Sequence, residues 1–338
     1  MNKKLTDGLL LDKNGNLNEA GYATSLIKDY NRKQIKGLKT RIKEWDYYAF
    51  LNNDYGVCLT LADNSYMSLA SISFLDFKNK QYITKSSMRF FTFGKLKLPS
   101  SSKSGDIDYQ DKKVSISFLN DGQKRILKAH YKKFKDNADL SLELEVINTS
   151  DNSMVIAIPF KKKKHFYYNQ KINLLKANGY FTIGNQKYEV KNNLGVLDWG
   201  RGVWTYNNTW YWASLSYQDE EGYKGFNLGY GFGDTSSASE NMVFFNDKVF
   251  KMDDVVFNIN KKNNKDDYMS EWTIKSKNED INLTFKPIID RYDNTDLKLL
   301  CSTQHQVFGY FNGYIKKDQT IIKINNALGF AEKVHNKW

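Results

Sequence analysis

Strict alternation of apolar and polar residues is the feature that most constrains the fold of this chain. Residues 114–118 and 140–146 carry an apolar side chain at every second position, and Asp121-Gly122 follows the first of these runs. Strand side chains point alternately to opposite faces, and an Asp-Gly pair is a common two-residue hairpin turn. Similar short runs recur throughout a chain that has 15% aromatic residues and three prolines. The sequence therefore predicts an all-β protein built from many antiparallel strands.

Tryptophan is concentrated in one part of the sequence, at residues 195–214. Four of the seven tryptophans of the chain lie there: Trp199, Trp204, Trp210 and Trp212. Arg201 stands between Gly200 and Gly202, a combination that is unfavourable in the middle of a strand because glycine has no side chain to pack. The pattern predicts a strand that ends near Leu197, a tight loop that presents Asp198 and Arg201, and a new strand at about residues 210–217.

Two interpretations of this segment follow from its residue types. In the structural one, Asp198 and Arg201 form an ion pair that holds a turn, and the tryptophans fill the end of a barrel. In the functional one, the same residues line a pocket in which indole rings shield Asp198, raise its pKa and allow it to transfer a proton. The residues alone leave both interpretations open.

Residues 225–233 separate by parity into an aromatic or apolar face and a glycine face that also carries Asn227. The space beside the glycines suits either a neighbouring tryptophan or a ligand anchored by Asn227. We predict that Asp198, Arg201, Asn227 and Glu240 converge in one polar cluster bordered by tryptophans, with Asp198 as the candidate catalytic residue. The predicted pocket residues are Trp199, Arg201, Trp204, Trp210, Trp212, Asn227, Glu240 and Asn241.

The charge and the remaining reactive residues argue against nucleic-acid binding and against a metal or cofactor. The net charge is +12, but its one dense basic cluster, at residues 161–164, contains only lysine and suits a solvated loop better than a nucleic-acid site. The two cysteines and four histidines have no metal-ligand spacing, so we expect no metal and no cofactor. No apolar run is long enough to cross a membrane or to act as an export signal, so we expect a cytoplasmic protein whose lipid contact, if any, is peripheral.

Several motifs resemble the bacterial DUF2804 family, which has no assigned function. The matching segments are Trp45-Asp46-Tyr47, residues 195–204, residues 210–214, Asn227-Leu228-Gly229, Glu240-Asn241 and Gly329-Phe330-Ala331-Glu332 with Trp338. A more distant resemblance is to the lipocalin-like superfamily of carotenoid hydratases, AttH-type proteins and certain Diels-Alder cyclases. Asp198-Trp199-Gly200 is similar to its central Asp-His-x-Trp-Gly element and residues 329–332 to its late Gly-Tyr-x-Glu element, although the histidine and the tyrosine are absent here.

The resemblance implies a fold of two tandem lipocalin-like (calycin) antiparallel β-barrels or sandwiches. With it, we expect residues 1–40 to form a short N-terminal helix or arm, residues 41–205 the first β domain and residues 206–338 the second. The expected function is binding of an apolar or amphipathic small molecule in an aromatic-lined β-barrel pocket. The alternatives are a cofactor-independent hydratase, isomerase or cyclase that uses Asp198, and a protein that meets anionic lipid or cell-wall polymer through its lysines.

Overall fold

A computed structural model describes residues 2–296, 298 and 301–337 of the chain. The N-terminal segment is an extended arm, which is the second of the two forms expected for residues 1–40. It contains β1 (Gly8–Leu9), β2 (Gly21–Ala23) and β3 (Lys28–Asp29), followed by short 3-10 turns at Arg32–Gln34 and Lys39–Arg41. In the described part of the chain, no helix is long and apolar enough to cross a membrane.

The first large sheet follows the arm and, among the described residues, has twelve strands. Besides β2 it contains β4 (Ile42–Leu51), β5 (Tyr55–Asp63), β6 (Met67–Asp76), β7 (Gln81–Phe90), β8 (Ile107–Gln110), β9 (Val114–Asn120), β10 (Arg125–Lys135), β11 (Ala138–Ile147), β12 (Met154–Pro159), β13 (Phe166–Ile183) and β14 (Gln186–Val203). Its order is β7-β6-β5-β4-β14-β13-β11-β10-β9-β8, and β12 connects β13 to β2. The predicted alternating runs lie in β9 and β11.

The second large sheet is formed by the C-terminal part of the chain. Its strands are β15 (Asn207–Asp219), β16 (Gly222–Tyr230), β17 (Met242–Phe245), β18 (Lys248–Lys251), β19 (Val255–Ile259), β22 (Trp272–Ser276), β23 (Ile281–Asp296), β24 (Cys301–Lys317) and β25 (Thr320–Lys337). Between β19 and β22, the strands β20 (Lys261–Lys262) and β21 (Lys265–Asp266) form a separate small hairpin. The order is β18-β17-β16-β15-β25-β24-β23-β22-β19. Trp338, which the sequence analysis placed in a motif, lies outside the described residues.

Each sheet curls around its own apolar core, as the alternation requires. Tyr48 and Phe50 of β4 point into the core of the first sheet, whereas Phe226 and Leu228 of β16 point into the core of the second. The protein is therefore nearly all-β, with two curled half-barrel sheets, and the predicted fold class is confirmed. The division into domains at residues 205 and 206 stays a prediction.

The outer faces of the two sheets pack against each other. Two apolar clusters join them, one around Tyr167, Trp204 and Phe232 and the other around Trp212 and Phe330. Residues of both sheets contribute to each cluster, because on the strands between the sheets the positions that do not face a sheet's own core face the other sheet. This arrangement places several of the candidate site residues between the sheets.

The predicted loop at Asp198 and Arg201 is wrong, because β14 continues without interruption to Val203. Gly200 lies in the strand opposite Trp45, and a Cβ atom at Gly200 would lie 1.9 Å from Cζ2 of the Trp45 ring. Gly202 is equally confined, since a Cβ atom there would lie 2.6 Å from the Phe166 carbonyl oxygen. These glycines permit close packing within a strand and do not form a turn.

Candidate functional site

A cavity of about 600 Å³ lies between the outer faces of the two sheets. Its first wall is a row of cross-strand neighbours that runs from Lys171 through Asp198, Tyr47, Thr60 and Ser71 to Ser86. Its second wall is a matching row from Trp212 through Glu332 and Gln306 to Arg291. Directly opposed residues of neighbouring strands share one face of a sheet, so the strand register alone aligns these side chains. The cavity is thus outside both barrel cores.

One end of the cavity is aromatic. Trp204 packs with its ring centroid 5.2 Å from that of Trp45, 5.6 Å from that of Trp210 and 4.8 Å from that of Phe232. Trp204 is only 6% exposed, and among the described residues its Nε1 has no hydrogen-bond partner. A buried indole N–H normally finds an acceptor, so this N–H is an exception within the aromatic packing.

Asp198 faces the cavity and is paired with Lys171. The Lys171 Nζ lies 2.7 Å from Asp198 Oδ2, and the Asn169 side chain donates to Oδ1 at 2.7 Å. Lys171 Nζ also lies 3.6 Å from the ring centroid of Trp212, which adds a cation-π contact. Both charged groups are almost completely buried, so each depends on the other for compensation of its charge.

Glu332 lies on the opposite wall between two donors. The Trp210 indole N–H donates to Oε1 at 2.9 Å, and the Gln306 amide donates to Oε2 at 3.0 Å. Burial raises the pKa of Glu332 above its ordinary value, although the Trp210 hydrogen bond and the charge of Lys171 oppose this effect. The carboxyl group of Glu332 is therefore disposed to hold its proton at a higher pH than an exposed glutamate.

Glu240 enters the cavity from the segment before β17. Its side chain occupies the space beside Gly229, where a Cβ atom would lie 2.4 Å from Glu240 Cγ. Asn227 donates to the Glu240 backbone oxygen at 2.7 Å and accepts a hydrogen bond from the Trp212 indole at 2.6 Å. Burial raises the pKa of Glu240, the charge of Lys171 lowers it and the charge of Asp198 raises it further. The glycine face of β16 thus accommodates a carboxylate.

Arg291 extends the polar wall away from the aromatic end. Its guanidinium donates to Ser73 Oγ at 2.7 Å and to Gln306 Oε1 at 2.5 Å, and the Tyr47 hydroxyl donates to the same Gln306 oxygen at 3.0 Å. Both acceptors of the guanidinium are neutral groups. A ligand with an anionic end would therefore find a cation at this position of the cavity that is already held in place.

Four of the predicted pocket residues do not line the cavity: Trp199, Arg201, Asn227 and Asn241. Arg201 and Asp198 lie on opposite faces of β14, because they are an odd number of residues apart. Arg201 points into the core of the first sheet and forms an ion pair with Asp46 at 2.9 Å. The predicted contact between Asp198 and Arg201 is therefore wrong. Trp199 lies on the same inner face, with its ring 4.2 Å from the Arg201 guanidinium. Asn241 is buried behind β16, where it accepts from the Gly229 N–H at 2.7 Å.

The other predicted residues line the cavity: Asp198, Trp204, Trp210, Trp212 and Glu240. Asn227 stands one layer behind, where it holds the Trp212 ring and the Glu240 backbone. Their functional roles stay predictions.

Sequence reasoning missed several residues of the two walls. Glu332 belongs to the late Gly-x-x-Glu motif and Tyr47 to the Trp-Asp-Tyr motif. These motifs could have identified both residues as members of the site. Lys171, Gln306 and Arg291 carried none, because their approach to Asp198 and Glu332 depends on strand register. In the described part of the chain, no group of three or more His, Cys, Asp or Glu side chains is arranged to hold a metal ion.

The chain has a lipocalin-like fold of two curled sheets with a polar and aromatic cavity between them. The chain belongs to the DUF2804 family, a domain of unknown function, whose family model matches residues 2–338. The prediction of the family is confirmed. No curated protein matches the sequence significantly.

Several solved structures are similar to this chain, among them an AttH-like protein and kievitone hydratase. An AttH-like protein from Nitrosomonas europaea superimposes with a TM-score of 0.55 at 12% identity, over 92% of this chain and 98% of that chain. Kievitone hydratase from Nectria haematococca superimposes with a TM-score of 0.52 at 12% identity, over 98% of both chains. At this level of identity the similarity concerns the fold alone.

Proposed function

We propose that this protein binds an amphipathic small molecule in the cavity between the two sheets. The observation that carries the proposal is the cavity itself, about 600 Å³ in volume, with indole rings at one end and buried charged groups along its walls. Small-molecule sites are commonly clefts of roughly 300–1,000 Å³ with mostly apolar linings and a few polar groups that fix orientation.

The arrangement of the walls also suggests how such a molecule is oriented. Its apolar part would pack against Trp45, Trp204 and Phe232. Its polar end would lie toward Glu332 and Arg291. This assignment replaces Arg201, which the sequence analysis had placed in the polar cluster, with Arg291.

A filling substitution tests the proposal. Leu69→Trp adds bulk at a residue that lines the cavity, whereas Leu119→Trp adds the same bulk at an exposed strand residue outside it. With the amphipathic fluorescent probe anilinonaphthalene sulfonate, we expect Leu69→Trp to bind at least about tenfold more weakly than the parent. Leu119→Trp should bind as the parent does. Equal affinity of both variants, with unchanged melting curves, would contradict binding in this cavity.

A second candidate function is proton-transfer catalysis without a cofactor, of the hydratase or isomerase kind. The specific observation is that Glu240 and Glu332 both face the cavity and both have raised pKa values caused by burial. A carboxylic acid that keeps its proton near neutral pH can donate it to a substrate. Asp198, the residue expected from the sequence, is already paired with Lys171, so we assign the donor role to Glu332. Because one solved protein of this fold is a hydratase, addition of water is the reaction to test first.

Infrared spectroscopy tests the state of Glu332 without any knowledge of the substrate. A protonated carboxyl group gives a band separate from that of carboxylates, and we expect this band to persist at a pH above about 4.3, the ordinary value for glutamate. Part of the band should disappear in Glu332→Gln and another part in Glu240→Gln. A spectrum in which neither substitution changes the band would remove the basis of the catalytic candidate.

A further inference from the structure

Three exposed phenylalanines lie together at the end of β7. Phe90, Phe91 and Phe93, which we call the aromatic tip, are 66%, 69% and 44% exposed. The rings of Phe91 and Phe93 are stacked, with centroids 6.5 Å apart. Single exposed apolar side chains are common on protein surfaces, but a group of adjacent aromatic rings marks an interaction site.

The backbone holds the aromatic tip in an unusual conformation. Phe91 and Phe93 have φ angles of 57° and 47°, in the left-handed region that a bulky side chain rarely adopts. Their N–H groups donate to the carbonyl oxygens of Tyr66 at 2.7 Å and Ser65 at 2.8 Å, and Thr92 between them is buried. The hairpin between β5 and β6 thus fixes a strained segment so that both rings face outward, which is typical of functional positions.

In the sequence on either side of the aromatic tip, every charged residue is basic. Residues 77–105 contain seven lysines and arginines and no aspartate or glutamate. Arg89, Lys95 and Lys97 flank the tip and are exposed. A second copy of this chain would bring like charges together at such a surface, so the charge favours a negatively charged partner.

We infer that the aromatic tip is a docking site for an anionic lipid surface. The phenylalanine rings enter the interfacial zone of the bilayer, where apolar burial stabilises the contact, and Arg89, Lys95 and Lys97 meet the lipid headgroups. Both signals are needed, because either a few exposed rings or a few basic residues alone give weak and reversible attachment.

The position of the aromatic tip connects lipid docking with the cavity. Asn64, Met67 and Met88 adjoin the tip and line the cavity, and Met88 is 52% exposed, so the cavity reaches the surface beside the tip. If the cavity holds an amphipathic molecule, docking places its opening at the lipid surface from which such a molecule can enter. This last step rests on the proposed function, whereas lipid docking itself does not.

Vesicle flotation tests the docking site. Asparagine tolerates the left-handed conformation better than other residues, so the double substitution Phe91→Asn with Phe93→Asn removes the rings and relieves strain. We expect the parent protein to float with phosphatidylcholine vesicles that contain phosphatidylserine and to float much less with phosphatidylcholine alone. The double variant should bind at least roughly tenfold more weakly, and the control Ile321→Ser, at a 58% exposed residue of β25, should bind as the parent does.

Three results would overturn the inference. The first is absence of parent protein from the vesicle fraction, and the second is equal flotation of the double variant and the parent. The third is binding of the parent to single-stranded DNA that is tighter than to vesicles and is lost in the double variant, since exposed aromatic and basic residues also bind nucleic acid. A failure of the anilinonaphthalene sulfonate experiment with normal flotation would refute the cavity proposal and leave lipid docking intact.

Discussion

Asp198 and Arg201 carry opposite charges into separate environments because the side chains of a strand alternate between its two faces. Asp198 lies on the outer face of β14 with Lys171, whereas Arg201 lies on the inner face with Asp46. Arg201 also donates to the carbonyl oxygens of Trp45 at 2.8 Å and Pro99 at 2.8 Å, and it is fully buried. Arg201 therefore stabilises the first sheet, and Asp198 belongs to the cavity.

Asp198→Asn should destabilise the protein by roughly 3 kcal/mol, because Lys171 would be left as a buried cation without its partner. Asn169 keeps an acceptor in this variant, so the lost ion pair dominates the effect. Asp54→Asn is the control, since Asp54 and Lys78 form an exposed pair at 3.1 Å that should contribute less than about 1 kcal/mol. Chemical denaturation measures both changes. An Asp198→Asn variant as stable as the parent would contradict this assignment of the pair.

Glu240→Gln should change the pH dependence of stability. The folded-state pKa of Glu240 is raised by burial, so the folded protein binds this proton more tightly than the unfolded chain does. Ionisation of Glu240 therefore lowers the stability of the folded protein as the pH rises above the unfolded-state pKa of 4.5 and through the raised folded-state pKa. The variant lacks this cost and should be more stable than the parent at pH about 8, with the difference vanishing below pH about 4.

Thermal melts at several pH values measure this difference. Glu220→Gln, at an exposed residue, is the control and should follow the parent at every pH. A constant difference between Glu240→Gln and the parent across the whole pH range would show that the effect comes from packing and would contradict the raised pKa.

At the scale of elements, β14 depends on glycine for close packing against β4. Gly200→Ala should destabilise the protein by about 1–3 kcal/mol, because a Cβ atom would lie 1.9 Å from the Trp45 ring and this ring also forms the aromatic end of the cavity. The same variant should bind anilinonaphthalene sulfonate more weakly.

Gly37→Ala is the matched control for this effect. The nearest atoms to a Cβ at Gly37 lie 3.5 Å away, which is ordinary contact, so its stability should change by less than about 1 kcal/mol. Equal melting temperatures for the two variants would contradict the packing role of Gly200.

The strands of the sheets were largely predictable from the sequence, because alternation and turn residues report local structure directly. The alternating runs at residues 114–118 and 140–146 and the parity of residues 225–233 are examples, and all follow from period-two patterns. The loop at Asp198 was predicted wrongly because a glycine required for close packing has the same sequence signature as a glycine required for a turn. Only the position of the Trp45 ring across the sheet distinguishes the two.

The residues of the site were predictable only in part, because sequence patterns report local structure and not the pairing of distant strands. The tryptophan cluster, Asp198 and Glu240 are conspicuous residues near turns or glycines, and sequence reasoning selected them. Lys171, Gln306 and Arg291 became part of the site through cross-strand pairing with Asp198, Glu332 and Gln306, respectively. No local pattern encodes such register.

At the scale of the whole molecule, the two sheets share apolar clusters as well as the cavity. Tyr167 and Trp204 of the first sheet pack with Phe232 of the second, and Trp212 packs near Tyr47. Because neither sheet can expose this face to water without loss of buried apolar area, we expect one cooperative unfolding transition. Differential scanning calorimetry measures this, and two separate transitions in the parent protein would contradict mutual stabilisation of the sheets.

The central claim is that a small molecule occupies the space between the two sheets. Native mass spectrometry of protein purified under mild conditions tests it most directly, because a ligand retained in the cavity adds its mass to that of the chain. We predict an adduct in the parent that is absent from Leu69→Trp and present in Leu119→Trp. An adduct that all three proteins carry equally would contradict the claim, because it would place the ligand outside the cavity.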